Sequence, residues 1–203
     1  MGSVTPAPPK PLLAALRHKA DIRVFVETGT AAGDTADLVG DVFDTVITME
    51  ADTALYEAAH ERLSGRKGIL PLAGDSRELL PNLLPRLAQP AVFWLGTRVR
   101  DGASPGQGDQ CPLLAEIAAI TASPLPHVIL IANARFFTAP PPPPRDPAHW
   151  PSLADILKAL GQGMPRDAAI RDNILIAIAR SGAGLWDDLF PDGRPEFLAA
   201  ADA

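Results

Sequence analysis

The sequence VFVETGTAAGDT, residues Val24–Thr35, joins an apolar run to a loop of small residues and then to the start of a helix. The β-branched and aromatic residues at 22–26 predict a buried strand, 28–33 predicts a turn, and 34–39 suits a helix. Small residues let the backbone approach a ligand closely, and the first turn of a helix presents free N–H groups. This order of elements therefore predicts one edge of an α/β sheet at which a ligand binds.

Predicted strands and helices alternate along the rest of the chain. Apolar runs predict further strands at 43–49, 68–72, 91–95, 127–132 and 174–179. Apolar spacing and capping residues predict helices at 12–19, 112–121 and 152–160 and after the caps Asp52 and Asp75. Pro81 and Pro85 are expected to interrupt the helix that follows Asp75. Strands this apolar are covered on both faces, so we expect an α/β fold with a doubly wound, mostly parallel sheet.

The chain has the length of one domain. We expect this domain at 12–180, after a flexible, proline-rich N-terminus at 1–11 and before a weakly patterned C-terminal tail at 181–203. No internal repeat and no second domain is visible in the sequence.

Composition and charge argue against several classes of protein. The net charge is −6 and no run of basic residues is present, so we expect no nucleic-acid partner. The longest apolar stretches are much shorter than a membrane-spanning helix, so we expect no membrane association. Residues 1–11 lack the apolar segment of a signal peptide, and the single cysteine, Cys111, excludes an internal disulfide. We therefore expect a cytoplasmic protein, and the sequence leaves homo-oligomerisation open.

The loop after the first strand fits two classes of cofactor. A dinucleotide fingerprint, Gly-x-Gly-x-x-Gly, would fall on Gly29, Ala31 and Asp34, where the acid would repel a phosphate. The other pattern is an acid followed by Gly-x-Gly-x-Gly, which is the first motif of class I S-adenosylmethionine (SAM) methyltransferases. Here it reads Glu27, Gly29, Ala31 and Gly33, with one glycine replaced by alanine. An acid suits SAM because this cofactor is cationic and has no phosphates. The alternative is an ordinary strand-to-helix turn.

Two more acids follow the next two predicted strands. Glu50 ends the second strand, where a carboxylate can accept both hydroxyls of a ribose. Asp75 follows the third strand, where its carboxylate or the neighbouring backbone can contact an adenine amino group. A solvated acid at a strand end and a helix cap are the simpler explanations for each residue alone. Acids at three successive strand ends, including Glu27, favour a common ligand.

These stretches together resemble a bacterial family of class I SAM-dependent methyltransferase-like proteins. The resemblance extends over most of the chain, from about residue 20 to residue 160. The matching segments, in order, are Phe25–Thr35, Thr48–Leu63, Gly74–Leu84, Phe93–Leu95, Cys111–Ile117, His127–Phe137 and Trp150–Ile156. The resemblance implies the Rossmann-like class I methyltransferase fold and SAM as the cofactor.

The resemblance also implies which residues bind SAM. They lie in the loop after the first strand, at the end of the second strand, and in the turn after the third strand. The implied residues are Glu27, Thr28, Gly29, Thr30, Gly33, Thr35, Glu50, Ala51, Asp75 and Ser76.

The chain departs from the family pattern after its fourth and fifth strands. The family pattern ends the fourth strand in Phe-Trp-Leu-Asp-Ala-His, where this chain has Gly96 and Arg98 for the Asp and the His. The pattern has an Asp-Asp pair at the fifth strand, where this chain has Ala132-Asn133. Similar carboxylates bind Mg²⁺ in some sugar O-methyltransferases, and Mg²⁺ needs hard oxygen ligands. We therefore expect no metal site, and the general base is expected to be lost with it.

Arginines stand near these two strand ends, at Arg98, Arg100 and Arg135. Guanidinium groups bind carboxylates and phosphates through paired hydrogen bonds, which fits an anionic acceptor. Ion pairs with acids such as Asp101 are the other explanation. His149 is a candidate general base because histidine is the side chain that most often transfers protons in enzymes; the alternative is an exposed loop histidine. The catalytic residues stay unknown, with Arg98, Arg135 and His149 as candidates.

The sequence supports two main functions. The first is a metal-independent, SAM-dependent methyltransferase that acts on a small-molecule acceptor bound between residues 97–110 and 136–150. The second is a catalytically degenerate protein of the same fold that binds SAM or S-adenosylhomocysteine (SAH) and acts through a partner. A nucleotide-dependent oxidoreductase is a third interpretation, which Asp34 disfavours.

Overall fold

The computed structural model describes residues 7–96, 111–139, 147–193 and 195–198. The expected loop at 97–110, which contains Arg98 and Arg100, lies outside these residues. The run of prolines at 140–144 also lies outside them.

The described residues form one sheet of seven strands. The strands are β1 (Val24–Thr28), β2 (Thr45–Glu50), β3 (Ile69–Ala73), β4 (Ala91–Leu95), β5 (Val128–Ile131), β6 (Arg166–Arg171) and β7 (Ile174–Ala179). Their order in the sheet is β3-β2-β1-β4-β5-β7-β6. Strands β1 to β5 are parallel, whereas β7 is antiparallel to both of its neighbours. All six predicted strands are present, and the prediction of a doubly wound, mostly parallel sheet in one domain is confirmed.

Helices cover both faces of the sheet. They are α1 (Lys10–His18), α2 (Asp34–Val39), α3 (Thr53–Leu63), α4 (Ser76–Leu83), α5 (Leu113–Thr121), α6 (Arg135–Thr138), α7 (Leu153–Leu160) and α8 (Leu185–Leu189). The predicted caps form, since Asp52 accepts a hydrogen bond from the Leu55 N–H and Ser152 accepts one from the Asp155 N–H. None of the helices in the described part of the chain has the length and apolarity needed to cross a lipid bilayer.

Strand β1 lies inside the sheet, between β2 and β4, and is buried on both faces. Successive side chains of a strand point to opposite faces. Val24 and Val26 therefore pack in the core formed with α4, α5 and α7, whereas Phe25 packs in the core formed with α1, α2 and α8. The same alternation places Glu27 on the Phe25 face and Thr28 on the opposite face.

Strand β6 is not among the strands predicted from the sequence. It contains Arg166, Asp167 and Arg171 together with two alanines, a composition with low β propensity. It pairs with β7 through a tight turn in which both Asp172 and Asn173 have positive φ, 50° and 63°. Such turns favour Asp and Asn, so this dipeptide before an apolar run was a usable hairpin signal.

Helix α4 corrects the expected interruption at Pro81. The helix continues through this proline to Leu83, and only then does the chain tighten into a 3₁₀ turn at Leu84–Arg86. Pro81 lies on the exposed side of the helix, where loss of one backbone donor is tolerated because water can solvate the unpaired carbonyl.

The expected C-terminal tail at 181–203 contains part of the core. Helix α8 lies within it and packs against α1. Its Trp186 is fully buried and contacts the rings of Phe190 and Phe197. Leu198 donates its backbone N–H to Ala168 of the edge strand β6 at 2.8 Å. These residues are therefore part of the folded domain and not a tail.

Candidate functional site

The carboxyl ends of β1, β2 and β3 meet along one side of the sheet, which we call the β1–β3 edge. Thr28 of β1 pairs with Met49 of β2, and Glu50 of β2 pairs with Ala73 of β3. The loops that follow these strands are residues 29–33, 51–52 and 74–75. Parallel strands thus bring all three predicted cofactor-binding segments together.

The loop at 29–33 is fastened to β2 by its backbone. The N–H groups of Gly29 and Thr30 both donate to the carbonyl oxygen of Met49, at 2.9 and 3.1 Å. Gly29 and Gly33 have φ of 82° and 81°, in the left-handed region that favours glycine. Gly29 is exposed, and a Cβ atom placed on it would have no described protein atom within 4 Å. The loop therefore presents open backbone at the β1–β3 edge.

Glu50 connects β2 to this loop through both carboxylate oxygens. Its Oε2 accepts a hydrogen bond from the backbone N–H of Ala31 at 2.8 Å. Its Oε1 accepts one from the backbone N–H of Asp52 at 3.0 Å. The residue is half-buried, and its carboxylate oxygens can accept further hydrogen bonds. Glu50 thus lies where the sequence predicts it, beside the open loop.

Glu27 lies beneath the loop and not on its surface. Its side chain is only 2% exposed, and its Oε2 accepts a hydrogen bond from the hydroxyl of Thr48 at 2.7 Å. The Thr48 hydroxyl is 2.6 Å from that of Thr30. Because Thr48 donates to Glu27, Thr30 donates to Thr48 in this chain of hydrogen bonds. Glu27 therefore supports the loop from below, and its predicted contact with the cofactor stays a prediction.

Asp75 caps α4 and forms an ion pair with its neighbour. Its carboxylate accepts from the backbone N–H of Arg77 at 2.9 Å and lies 2.6 Å from the Arg77 guanidinium. Hydrogen bonding from Arg77 holds the pKa of Asp75 below its usual range. Asp75 therefore caps the helix, which was the simpler explanation for this acid. Its carboxylate is also paired with the Arg77 guanidinium. The turn that it forms nevertheless adjoins Glu50, because the Gly74 N–H donates to the Glu50 carbonyl at 2.9 Å.

A buried acid that the sequence analysis does not single out lies behind this edge. Glu116 of α5 is 1% exposed, and its Oε1 accepts a hydrogen bond from the hydroxyl of Ser76 at 2.6 Å. It also has a side-chain hydrogen bond with Thr28. Burial is the main cause that raises the Glu116 pKa, to about 7. The available signal was its spacing, three residues after Leu113 and one before Ile117 on the buried face of the helix.

The remaining predicted cofactor residues differ in exposure. Thr28, Thr30, Thr35 and Ser76 are buried, whereas Ala51 is exposed in the turn after β2. Buried hydroxyls stabilise the loops from within, and the exposed backbone of Gly29 and Ala51 forms the surface that a ligand would meet.

The carboxyl ends of β4 and β5 lie next to that of β1, at the same end of the sheet, and we call this part the β4–β5 edge. A Cβ atom on Gly96 would clash with the carbonyl oxygen of Thr28, so the backbone itself requires glycine here. Asn133 is buried and has a φ of 57°. The turn of the β6–β7 hairpin packs beside it, since the Ala134 N–H donates to the Asn173 carbonyl at 2.9 Å. In addition, the Arg135 N–H donates to the Asn173 side chain at 2.9 Å.

An aromatic cluster joins two of the three catalytic candidates. Trp150 packs against Phe136 and Phe137 with ring centroids 5.6 Å apart in each pair. The Arg135 guanidinium lies 4.9 Å from the centre of the Phe136 ring. His149 immediately precedes Trp150, and its buried Nδ1 has no hydrogen-bond partner among the described residues. Arg135 and His149 therefore lie around one cluster beside the β4–β5 edge, whereas Arg98 lies outside the described residues.

Among the described residues, no three His, Cys, Asp or Glu side chains are grouped so that they could hold a metal ion. Asp101 and Asp109 belong to the loop at 97–110, outside these residues. Independence from metal stays a prediction.

His127 and Cys111 are both buried. His127 is buried at the start of β5, and its Nδ1 accepts a hydrogen bond from the Ala91 N–H at 3.0 Å. Its Nε2 is 2.9 Å from the hydroxyl of Ser123. Cys111 is buried in the core at the start of the segment leading to α5.

No protein-family model matches this chain, and no curated protein matches its sequence. Solved structures do match its fold. One is the O-methyltransferase TomG from Streptomyces achromogenes in complex with SAM, with 16% identity and a TM-score of 0.56 over 83% of this chain and 78% of that one. Another is the SAH-bound methyltransferase PaMTH1 from Podospora anserina, with 14% identity and a TM-score of 0.58 over 83% of this chain and 75% of that one. At this identity the likeness establishes the shared Rossmann-like fold.

Proposed function

We propose that this chain is a SAM-dependent methyltransferase that acts on a small-molecule acceptor without a metal ion. The fold that it shares with SAM-bound TomG and SAH-bound PaMTH1 supports the class of cofactor. Residues at the β1–β3 edge and the β4–β5 edge support the activity.

The observation that carries the proposal is the open backbone at Gly29. A positive φ of 82° and free space around the missing Cβ are what a loop needs for a ligand to lie directly on it. The adjacent carboxylate of Glu50 suits the hydroxyls of a ribose, since an ionised carboxylate accepts two hydrogen bonds side by side. The residues therefore fit an adenosyl cofactor that carries positive charge and no phosphate.

Different residues would hold the different parts of SAM. Gly29 and the rest of the loop at 29–33 would lie against its amino-acid portion, and Glu50 would accept from its ribose. The turn of Ala51 and the turn of Asp75 and Ser76 would flank its adenine. Glu27, Thr28, Thr30 and Thr35 are buried, so they would act by holding the loop in shape.

SAM supplies a methyl group on a positively charged sulfur, and the chain supplies position and exclusion of water. Bound SAM would supply this methyl group for in-line transfer to the acceptor atom, with the carbon–sulfur bonding electrons leaving on the sulfur of SAH and the acceptor's proton passing to a base. In-line displacement of this kind gains much of its rate from alignment of the two reactants. An amine, a thiol or an ionised hydroxyl can attack without a metal-bound base.

Residues at the β4–β5 edge would face the acceptor. His149 is the candidate to take a proton from it, because one of its ring nitrogens is buried without a partner in the described part of the chain. Arg135, which packs on Phe136, would favour an acceptor with a carboxylate or phosphate. Both assignments follow from their shared place around Trp150.

One observation favours a second function, a SAM- or SAH-binding protein that acts through a partner without catalysis. The backbone at Gly96 has no room for a side chain, and Ala132 offers no side-chain oxygen. The edge that would carry the acidic catalytic groups of the family pattern therefore lacks them at these positions.

Calorimetry with SAM, SAH and NAD tests the cofactor class directly. We expect SAM and SAH to bind and NAD not to bind. Absence of binding by SAM and SAH at millimolar concentration would reject both functions, and binding of NAD alone would favour an oxidoreductase.

Consumption of SAM with pooled small-molecule acceptors then separates the enzyme from the binding protein. We expect turnover that EDTA leaves unchanged. Inhibition by EDTA that Mg²⁺ reverses would contradict the metal-independent reaction, and binding of SAM with no turnover on any acceptor would support the second function.

A further inference from the structure

Glu116 lies in an otherwise apolar environment. It is on the face of α5 that carries Leu113, Ile117 and Ile120 into the core, and all four residues are buried. The facing residues of α7 are apolar, among them Ile156 and Leu160. A carboxyl group at such a position is costly to bury unless it makes specific hydrogen bonds.

The hydrogen bonds of Glu116 lead to both sides of the β1–β3 edge. Ser76, at the start of α4, donates its hydroxyl to Oε1 at 2.6 Å. Thr28, at the end of β1, makes a side-chain hydrogen bond to the same carboxylate. The Thr28 hydroxyl also accepts from the backbone N–H of Gly96 at 3.3 Å. One carboxylate thus connects the end of β1, the start of α4 and, through Thr28, the end of β4.

Few charges face Glu116. From α4, Asp75 disfavours its ionisation and Arg77 favours it, and both effects are smaller than that of burial. Glu27 lies on the opposite face of β1, because adjacent residues of a strand point in opposite directions. No described cation forms a salt bridge with Glu116. Within the described part of the chain, Arg77 therefore offsets this negative charge only in part, and no ion pair does so.

We propose that Glu116 is a positioning residue of the donor site, which holds Thr28 and Ser76 in place and whose negative charge favours a cationic ligand over its neutral product. This role rests on the proposed function. SAM carries a positive charge on sulfur and SAH does not, so a carboxylate that has no ion-pair partner among the described residues attracts SAM more strongly from behind the β1–β3 edge. The carboxyl group titrates near neutral pH, so we expect the preference for SAM to increase as pH rises.

The test compares SAM and SAH affinities by calorimetry at pH 6 and pH 8 in the wild-type protein, in Glu116→Gln and in a control, Glu61→Gln. Glu61 is exposed on α3, away from the β1–β3 edge. The ionisable groups of the two ligands change with pH in the same way for every variant. The difference between the wild-type protein and Glu116→Gln therefore isolates the carboxyl group.

We expect the ratio of SAM affinity to SAH affinity to rise between pH 6 and pH 8 by at least about threefold more in the wild-type protein than in Glu116→Gln. Glu61→Gln is expected to match the wild-type protein. An equal change in the wild-type protein and Glu116→Gln would overturn the role of Glu116 and leave the proposed function intact. Failure of both ligands to bind the wild-type protein would overturn the proposed function and this role with it.

A second variant gives a readout that needs neither ligand nor activity. Ser76→Ala removes one donor that stabilises the ionised carboxylate, so the Glu116 pKa should rise. Carbon-13 NMR of the ligand-free protein labelled at glutamate carboxyl carbons measures this titration. We expect one resonance to titrate near pH 7, to disappear in Glu116→Gln and to shift to higher pH in Ser76→Ala. A midpoint that does not move in Ser76→Ala would overturn the hydrogen-bonded arrangement.

Discussion

The carboxylate of Glu50 accepts a hydrogen bond from the backbone N–H of Ala31 at 2.8 Å, and this bond joins the end of β2 to the loop that follows β1. The two residues are 19 positions apart in sequence. This bond holds the middle of the loop. The start of the loop is held by the Met49 carbonyl, which accepts from the N–H groups of Gly29 and Thr30. The shape of the candidate cofactor site is therefore set by β2 as much as by the loop itself.

We predict that Glu50→Ala weakens SAM binding by about 10- to 100-fold, because it removes hydrogen bonds to a charged group and loosens the loop. Calorimetry measures the loss. Glu57→Ala, an exposed position on α3, is the matched control and should bind as the wild-type protein does. Equal affinity in Glu50→Ala and the control would show that the carboxylate does not contact the ligand.

We predict that Gly29→Arg abolishes SAM binding while the protein remains folded. The new side chain would occupy the free space above the loop, and the left-handed φ would add a strain of roughly 1 kcal/mol. Gly29→Ala carries the same backbone strain with a much smaller side chain, so it should retain more affinity. Unchanged binding in Gly29→Arg, with a normal circular dichroism spectrum, would place the ligand elsewhere.

We predict that Glu116→Gln stabilises the protein at pH 8. Burial raises the Glu116 pKa from its usual value of 4.5 to about 7 in the folded state. The Glu116 carboxyl group therefore makes its full contribution to the free energy of unfolding below pH 4.5. This contribution is lost as pH rises through 7, and the loss is up to about 3 kcal/mol. Urea unfolding should show a smaller loss of free energy between pH 5 and pH 8 in the variant. A parallel pH dependence in both proteins would contradict a raised pKa.

We predict that His127 has the opposite effect on the pH dependence of stability. Burial lowers its pKa from 6.5 to about 4, so the folded protein holds this ring neutral. Its contribution is complete above pH 6.5 and is lost as pH falls through 4. His127→Gln should remove part of the acid destabilisation, whereas His60→Gln on the exposed face of α3 should not. If the free energy of unfolding falls equally at acid pH in His127→Gln and the wild-type protein, this assignment is contradicted.

These two groups act against each other between pH 4.5 and pH 6.5. In that range the folded state binds more protons than the unfolded chain at Glu116 and fewer at His127. The contributions of these two groups to the free energy of unfolding should therefore largely cancel there, and each variant should reveal the pH dependence that the other group causes.

Much of the fold follows from local sequence patterns. Strands β1, β2, β4, β5 and β7 are largely apolar runs, because the interior strands of this sheet are buried on both faces. Strand β6 escapes this rule because it is an edge strand that carries Arg166, Asp167 and Arg171. Its pairing is decided by the turn at Asp172-Asn173 and by β7, which are contacts that a reading of residues 166–171 alone does not contain.

The candidate site is less predictable than the fold. Spacing along the sequence locates Gly29, Glu50 and Asp75 correctly at neighbouring strand ends. It does not distinguish a carboxylate that faces a ligand from one that supports a loop, as Glu27 does through Thr48. Glu116 is separated from its partner Ser76 by 40 residues, and only tertiary packing brings the two together.

The β6–β7 turn has a consequence for the order in which the protein is completed. The backbone of Ala134 and Arg135 obtains its hydrogen-bond acceptors from Asn173, which the ribosome adds to the chain 38 residues after Arg135. The loop at Gly29 and its partner Glu50 are synthesised long before that point. A nascent chain therefore contains every residue of the β1–β3 edge before it contains β6 and β7. The hydrogen bonds from Asn173 beside the aromatic cluster can form only after that.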